Sequence, residues 1–253
     1  MTETLAKILA LWAVPRSTST AFEWMMRQRG DLSCHHEPFG EAWYQGEAPL
    51  WPRFQPGDKV TPGLTLASVL DTIRADAARG PVFIKDFPHY ITTLADDAFL
   101  DLFTHSFLIR DPAKTISSMY DKWPDFDERE VGFAEQRALF DQIADRVGAP
   151  PPVIDSDDLL EDPHGVVAAW CAAVGIPFMP QALSWEPGAR DEVSWWDGGS
   201  FHANLRNSDG LKPQVRKYVE VADAPPRVQE VHARCLPHYQ HLYQHRLIAG
   251  QTH

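Results

Sequence analysis

The twenty residues from Lys7 to Met26, KILALWAVPRSTSTAFEWMM, constrain the fold more than any other stretch. An apolar run from Lys7 to Val14 stops at Pro15. The hydroxyl-rich segment Arg16-Ser17-Thr18-Ser19-Thr20 follows, and Ala21 to Met26 reads as helix. A run apolar at nearly every position suits a strand buried on both faces, as in a parallel sheet. Strand, turn and helix in so short a span aim the N–H groups of a helix start at one point, which makes an anion site. The hydroxyls add donors, and Arg16 adds a charge that can fork onto oxyanions. The signature GxxxxGK[ST] is absent. No glycine lies between Lys7 and Arg29, and Arg16 precedes the hydroxyls where a lysine would follow a glycine. The turn therefore suits a phosphate without being an ordinary Mg-ATP loop. A plain Ser/Thr cap on a helix after a buried strand is the other reading of the same residues.

Further along, strands and helices alternate. Thr20 to Gly30 reads as helix, Asp31 to His36 as strand, Thr65 to Gly80 as amphipathic helix and Pro81 to Lys85 as strand. Asp96 to Phe103 reads as a short helix, Thr104 to Ile109 as strand, and Pro112 to Lys122 as a helix with proline in its first turn. A helix over Glu128 to Val147, a strand over Pro151 to Asp155 and a helix over Pro163 to Val174 follow. The alternation predicts a single α/β domain over residues 1–253, three layers around a mainly parallel sheet. Ligands of such sheets bind beyond the C-terminal ends of the strands. The Arg16 turn, Glu37, Lys85-Asp86 and Arg110 all fall at those ends.

Two stretches break the pattern. Residues 41–63 and 181–211 are rich in Pro, Gly and aromatics and are expected to be lid or substrate loops. Trp43, Trp51, Trp185, Trp195 and Trp196 would be walls of a substrate pocket or part of the core. Pro225 to Leu247 reads as a helical run with a possible interruption at Pro237. Its His238, His241 and His245 share one face, read as solvated or partly buried and not as a metal site.

The net charge of −12, with no basic run, excludes general binding to nucleic acid or anionic membrane and leaves room for one locally basic pocket. Cys34, Cys171 and Cys235 form neither a disulfide framework nor a CxxC site, which points to a reducing compartment. Ile8 to Val14 is too short for a secretory leader, and no apolar run approaches membrane-spanning length. A soluble, cytoplasmic enzyme is the expectation.

The second chemical stretch is Phe107 to Tyr120, FLIRDPAKTISSMY, where Arg110 leaves a strand and Ser118 lies inside the next helix. Together the pieces resemble the sulfotransferases that use 3′-phosphoadenosine 5′-phosphosulfate (PAPS). That family's first signature, a strand, then P-[KR]-S-G-[TS]-T and a helix, stands here as Pro15-Arg16-Ser17-Thr18-Ser19-Thr20. Its second, a strand-end Arg with Ser eight residues on, is Arg110 and Ser118. A third mark is Asp157-Asp158-Leu159-Leu160-Glu161-Asp162-Pro163, with Gly175-Ile176-Pro177-Phe178 closing the following helix. The set covers most of residues 7–180.

The resemblance implies the P-loop NTPase-like sulfotransferase fold, PAPS as donor with 3′-phosphoadenosine 5′-phosphate (PAP) as product, and a hydroxyl or amine of a small molecule or carbohydrate as acceptor. It assigns the 5′-phosphosulfate to Arg16, Ser17, Thr18, Ser19 and Thr20, and the 3′-phosphate to Arg110 and Ser118. Ser208 and Gly210, in Ser208-Asp209-Gly210-Leu211-Lys212, are the candidates for the late nucleotide-binding segment. Transfer is expected to be in line, with Arg16 on the leaving oxygen. A sulfuryl group carries less charge than a terminal phosphoryl, so no metal is implied. Thr18 stands where the family has glycine. The histidine that many members carry two residues after a strand-end lysine is missing, since Lys85-Asp86-Phe87 occupies the place. Glu37 is the expected base, with Asp86 or His89 as substitutes, and Lys85 is expected beside the transferring group. A Mg-ATP-dependent kinase and a catalytically inactive nucleotide-binding module are the alternatives. The sequence leaves the oligomeric state open.

Overall fold

The computed structural model describes residues 8–54, 57–189, 191–193, 203–213 and 218–250. Strand β1 (Ile8–Ala13) is buried at every position and leads through a tight turn into α1 (Ser19–Arg29). In chain order follow β2 (Ser33–His36), α2 (Pro38–Gln45), α3 (Leu66–Ala77), β3 (Val82–Asp86), α4 (Asp97–Leu100), β4 (Phe103–Ile109) and α5 (Pro112–Lys122). Then come α6 (Phe133–Val147), β5 (Val153–Asp155), α7 (Ser156–Glu161), α8 (Pro163–Val174), α9 (Ala203–Arg206) and α10 (Pro226–Tyr243).

The five strands form one parallel sheet in the order β2-β3-β1-β4-β5. With β1 in the middle, right-handed crossovers send α1 to one face and α3, α4 and α6 to the other. Packing agrees. Phe22 of α1 meets Trp170 of α8 edge-on at 4.9 Å, and α10 packs on α5 and α6 across the sheet. The three-layer α/β domain read from the alternation is the fold observed.

Several boundaries differ from the sequence reading. The segment expected as a loop from Glu41 begins instead as α2. Pro38 starts that helix at a position needing no N–H, and the Phe39 amide donates to Asp86 Oδ2 at 2.8 Å. Gly46 ends it, because a Cβ there would stand 2.5 Å from the Ala42 carbonyl oxygen. The helix expected from Glu128 starts at Phe133, after a 3₁₀ turn at Glu128–Glu130 and Gly132 at φ +75°. β5 is shorter than expected because Pro151 and Pro152 lack N–H groups, although the Pro152 carbonyl still accepts from Phe107. α10 runs unbroken through Pro237, held by its packing on α5 and α6. Lys7, Trp195, Trp196, Gly198 and Gly199 lie outside the described residues. No helix among the described residues is long and apolar enough to cross a membrane.

Candidate active site

Strand register builds the site. His36 stands opposite Lys85, Trp12 opposite Asp86, and Ala13 opposite Leu108. The turn after β1, Glu37 after β2 and Arg110 after β4 therefore leave the sheet along one edge. There they line a cleft of about 1260 Å³, its open mouth included.

The turn's backbone is unusual for its side chains. Arg16 (φ 63°), Thr18 (φ 73°) and Glu37 (φ 44°) are the non-glycine residues with positive φ among the described residues, and all three line the cleft. Each such conformation costs about 1 kcal/mol or more and persists only where its surroundings over-determine it. Here they do. The buried Ser17 hydroxyl donates to the Val14 carbonyl at 2.6 Å, and Thr18 Oγ1 lies 2.7 Å from Ser156 Oγ at the start of α7. Thr18 thus keeps the left-handed geometry of a glycine and adds a hydrogen bond to a neighbouring helix.

Arg16 Nε donates to Ser118 Oγ at 3.1 Å. Arg110 Nη1 donates to the Arg16 carbonyl at 2.8 Å, and its Nη2 donates to Tyr218 Oη at 2.7 Å. Arg110 Nε is buried with no hydrogen-bond partner among the described residues. The two groups expected to hold separate phosphates are therefore hydrogen-bonded neighbours in a single cleft, because β4 lies directly beside β1. Ser208 and Gly210 line the same cleft. Ser208 Oγ donates to the Leu205 carbonyl and accepts from Trp185 Nε1. Gly210 bridges Ser184, and a Cβ there would meet the Leu183 carbonyl oxygen at 2.8 Å.

Glu37 lines the cleft, and its Oε1 accepts from Lys85 Nζ at 2.5 Å. Lys85 itself has no exposed surface. It stands behind Glu37 and not at the cleft wall, with its ammonium 5.1 Å from the centre of the Phe87 ring. The proposed substitutes for Glu37 are elsewhere. Asp86 is fully buried and accepts from the Phe39 and Phe87 amides, so it fastens α2 to β3. Burial, with Glu37 nearby, pushes its carboxyl well up despite those amides. His89 is packed between Trp43 and Phe87, and burial pushes its imidazole down to about 3. Neither lines the cleft.

Part of the cleft wall is aromatic: Tyr44, Phe87, Tyr90 and Trp123 line it, as does Met119. Sequence reasoning missed most of it. Of the tryptophans singled out there, Trp43 is buried against Tyr90 and Trp51, and Trp185 braces Ser208, while Trp195 and Trp196 lie outside the described residues. The helical period of α2 would have signalled that adjacent aromatics face different ways, but only once α2 was known to be a helix. Glu130 was also missed. It is fully buried at the cleft, where Arg53 forks onto both its oxygens at 2.6 Å and the Tyr44 hydroxyl donates to Oε1 at 3.2 Å. That clamp ties the segment after α2 to the connection between α5 and α6.

Among the described residues no three or more His, Cys, Asp or Glu converge as a metal would require. His241 pairs with Asp141 at 2.8 Å and His245 packs on Phe140, so the histidine face of α10 is a helix contact. Burial pushes the thiols of Cys34 and Cys235 up to about 12 and that of Cys171 to about 11, which favours the protonated thiol in all three free cysteines.

A family model described as Sulfotransferase domain matches residues 6–235. Two curated Arabidopsis thaliana proteins, branched-chain-amino-acid aminotransferase-like proteins 2 and 1, are 26% identical over 241 residues and 25% identical over 203. The matches cover 92% and 75% of this chain but only 41% and 35% of those proteins, so the chain spans well under half their length. Solved structures with similar folds include a sulfotransferase from Alicyclobacillus acidocaldarius (14% identity, TM-score 0.49, 96% of this chain and 98% of that one). The sulfotransferase domain of the curacin biosynthetic pathway (13%, 0.48, 92% and 98%) and a mouse sulfotransferase complexed with PAP (10%, 0.48, 93% and 85%) are also similar.

Proposed function

The chain belongs to the sulfotransferase family, and from that premise we propose that it moves a sulfuryl group from PAPS to a hydroxyl or amine of a small-molecule or carbohydrate acceptor. The observation that carries the reading is the linked set Arg16, Ser118 and Arg110. In a chain of net charge −12, two guanidinium groups converge on one cleft beside a hydroxyl-rich helix start. The buried Nε of Arg110, without a hydrogen-bond partner among the described residues, fits a phosphate oxygen, which would complete its hydrogen bonding.

The donor supplies an activated sulfuryl group; the chain supplies position, charge and a base. Residues 16–20 hold the 5′ end, with Arg16 set to stabilise charge on the leaving oxygen. Arg110 and Ser118 hold the 3′-phosphate, and Ser208 and Gly210 close over the nucleotide. Glu37 accepts the proton of the attacking group. Lys85 behind it keeps the carboxylate ionised and fixed, at the cost of some basicity. The aromatic wall of Tyr44, Phe87, Tyr90 and Trp123 supports an acceptor with an apolar body.

Calorimetric titration with PAP, ADP and ATP, with and without Mg²⁺, tests the donor. Tight, metal-independent binding that requires the 3′-phosphate is expected. Equal or tighter binding of Mg-ATP would overturn the proposal.

A further inference from the structure

Behind Glu37 runs a buried file of charged groups. Glu23 on α1 has no exposed surface. Its Oε1 accepts from Arg27 Nε at 3.0 Å and Nη2 at 2.8 Å. Its Oε2 lies 2.6 Å from His36 Nδ1. The other ring nitrogen of His36, Nε2, lies 3.9 Å from Glu37 Oε1, the oxygen that Lys85 Nζ holds at 2.5 Å. The His36 side chain is 3% exposed and that of Lys85 is 0%. Burial raises the Glu23 carboxyl, but His36, Lys85 and Arg27 together outweigh burial and leave it below the usual carboxylate range. An ionised carboxylate only accepts, so the shared hydrogen sits on Nδ1, and Nε2 is the ring atom facing Glu37.

We propose that Glu23 and His36 are positioning residues acting through Glu37, with His36 Nε2 receiving the proton that Glu37 takes from the acceptor. This rests on Glu37 being the base. Glu37 Oε1 and His36 Nε2 stand 3.9 Å apart, so the protonated carboxyl first closes on the imidazole to hydrogen-bond distance; the O–H bond on Glu37 then breaks as the N–H bond on His36 forms, and the proton returns through Glu37 to water after product leaves. A protonated, neutral Glu37 would deprive the buried Lys85 ammonium of its carboxylate partner, which is costly in a dry site. Passing the proton on restores the Lys85–Glu37 pair, and Glu23 compensates the new imidazolium. Among the described residues, the ionisable groups near His36 include Arg27 from α1, held on Glu23, Lys85 opposite it on β3, and its strand neighbours Cys34 and His35.

The test is a ¹⁵N-histidine NMR titration of the full chain bound to PAP, in wild type, Glu23→Gln and Glu37→Gln, with His36→Asn to assign the signal. Nδ1 is expected to stay protonated while Nε2 titrates, its midpoint dropping by at least half a pH unit in either carboxamide variant. A permanently protonated Nε2, or a midpoint indifferent to Glu37→Gln, would sink the proposal. Turnover of labelled PAPS with water as acceptor adds a rate. His36→Asn, which keeps a donor near the Nδ1 position, should lower kcat at least tenfold, leave donor KM within twofold and move the acid limb of the pH profile downward. Unchanged kcat, or a lower kcat with an unmoved limb, overturns the relay. Glu37→Gln separates the two levels: if it turns over like wild type, the base assignment itself fails; if it is dead while His36→Asn is normal, only the relay fails.

Discussion

Arg110 Nη1 donates to the carbonyl oxygen of Arg16 at 2.8 Å, so the strand end that carries one guanidinium fixes the turn that carries the other. Arg110→Ala removes both the proposed 3′-phosphate ligand and a brace on the Arg16 turn. Loss of one charge-assisted contact of about 1.5–3 kcal/mol predicts PAP affinity lower by roughly 10- to 100-fold. ADP, which lacks the 3′-phosphate, should lose much less in the same calorimetric titration.

Thr18 separates backbone strain from side-chain bonding. Thr18→Ala and Thr18→Gly both lose the contact to Ser156, but only alanine keeps the penalty of φ +73°. Thr18→Gly should therefore be the more stable variant by about 1 kcal/mol in urea unfolding. Equal stabilities would mean that the turn relaxes out of the left-handed region.

His89 is buried with neither ring nitrogen hydrogen-bonded among the described residues. Phenylalanine fills the same aromatic site without that cost. His89→Phe should be neutral or stabilising by about 1 kcal/mol at pH 7.5, with PAP binding unchanged because His89 is away from the cleft. A large loss of stability would show that a buried partner satisfies the imidazole.

Burial holds His89 at about 3 and His105 at about 4, both below the usual histidine value of 6.5. Each ring stays neutral in the fold but protonates in the unfolded chain, so stability is present above pH 6.5 and falls as pH drops through 6 toward 4. At about 1.4 kcal/mol per unit, His105 alone accounts for about 3 kcal/mol over that window. Urea midpoints from pH 7.5 to 4.5 check the slope, and His89→Phe should flatten it.

Gly210 sits where a side chain has no room. Gly210→Ala places a methyl 2.8 Å from the Leu183 carbonyl oxygen, forcing apart the bridge to Ser184. A loss of about 1–3 kcal/mol in stability is expected, with weaker PAP binding because Ser208 and Leu211 move with it.

Most of the architecture was legible because β1 and β3 are buried at every position and most of the long helices show a period or a cap, whereas α2 did not declare itself. The rim of Arg16, Glu37 and Arg110 followed from the rule that ligands sit beyond strand ends. What stayed hidden depended on contacts far apart in sequence. Nothing local says that Arg53 clamps Glu130, that Glu23 reaches His36, or that Lys85 stands behind Glu37 and not at the cleft wall. Asp86 misled for the same reason: its carboxylate looks available until the Phe39 and Phe87 amides are found upon it. Thr18 shows the opposite case: it stands where the family pattern has glycine, and its backbone takes the left-handed region that glycine enters most easily.

β1 is completed on one side by β3, which starts at Val82, and on the other by β4, which starts at Phe103. During synthesis this apolar strand emerges before either neighbour and waits with two open edges until both have left the ribosome. Such a segment invites intermolecular pairing. Yield of native protein should thus depend on translation speed, temperature and chaperone supply more than on the stability of the finished domain.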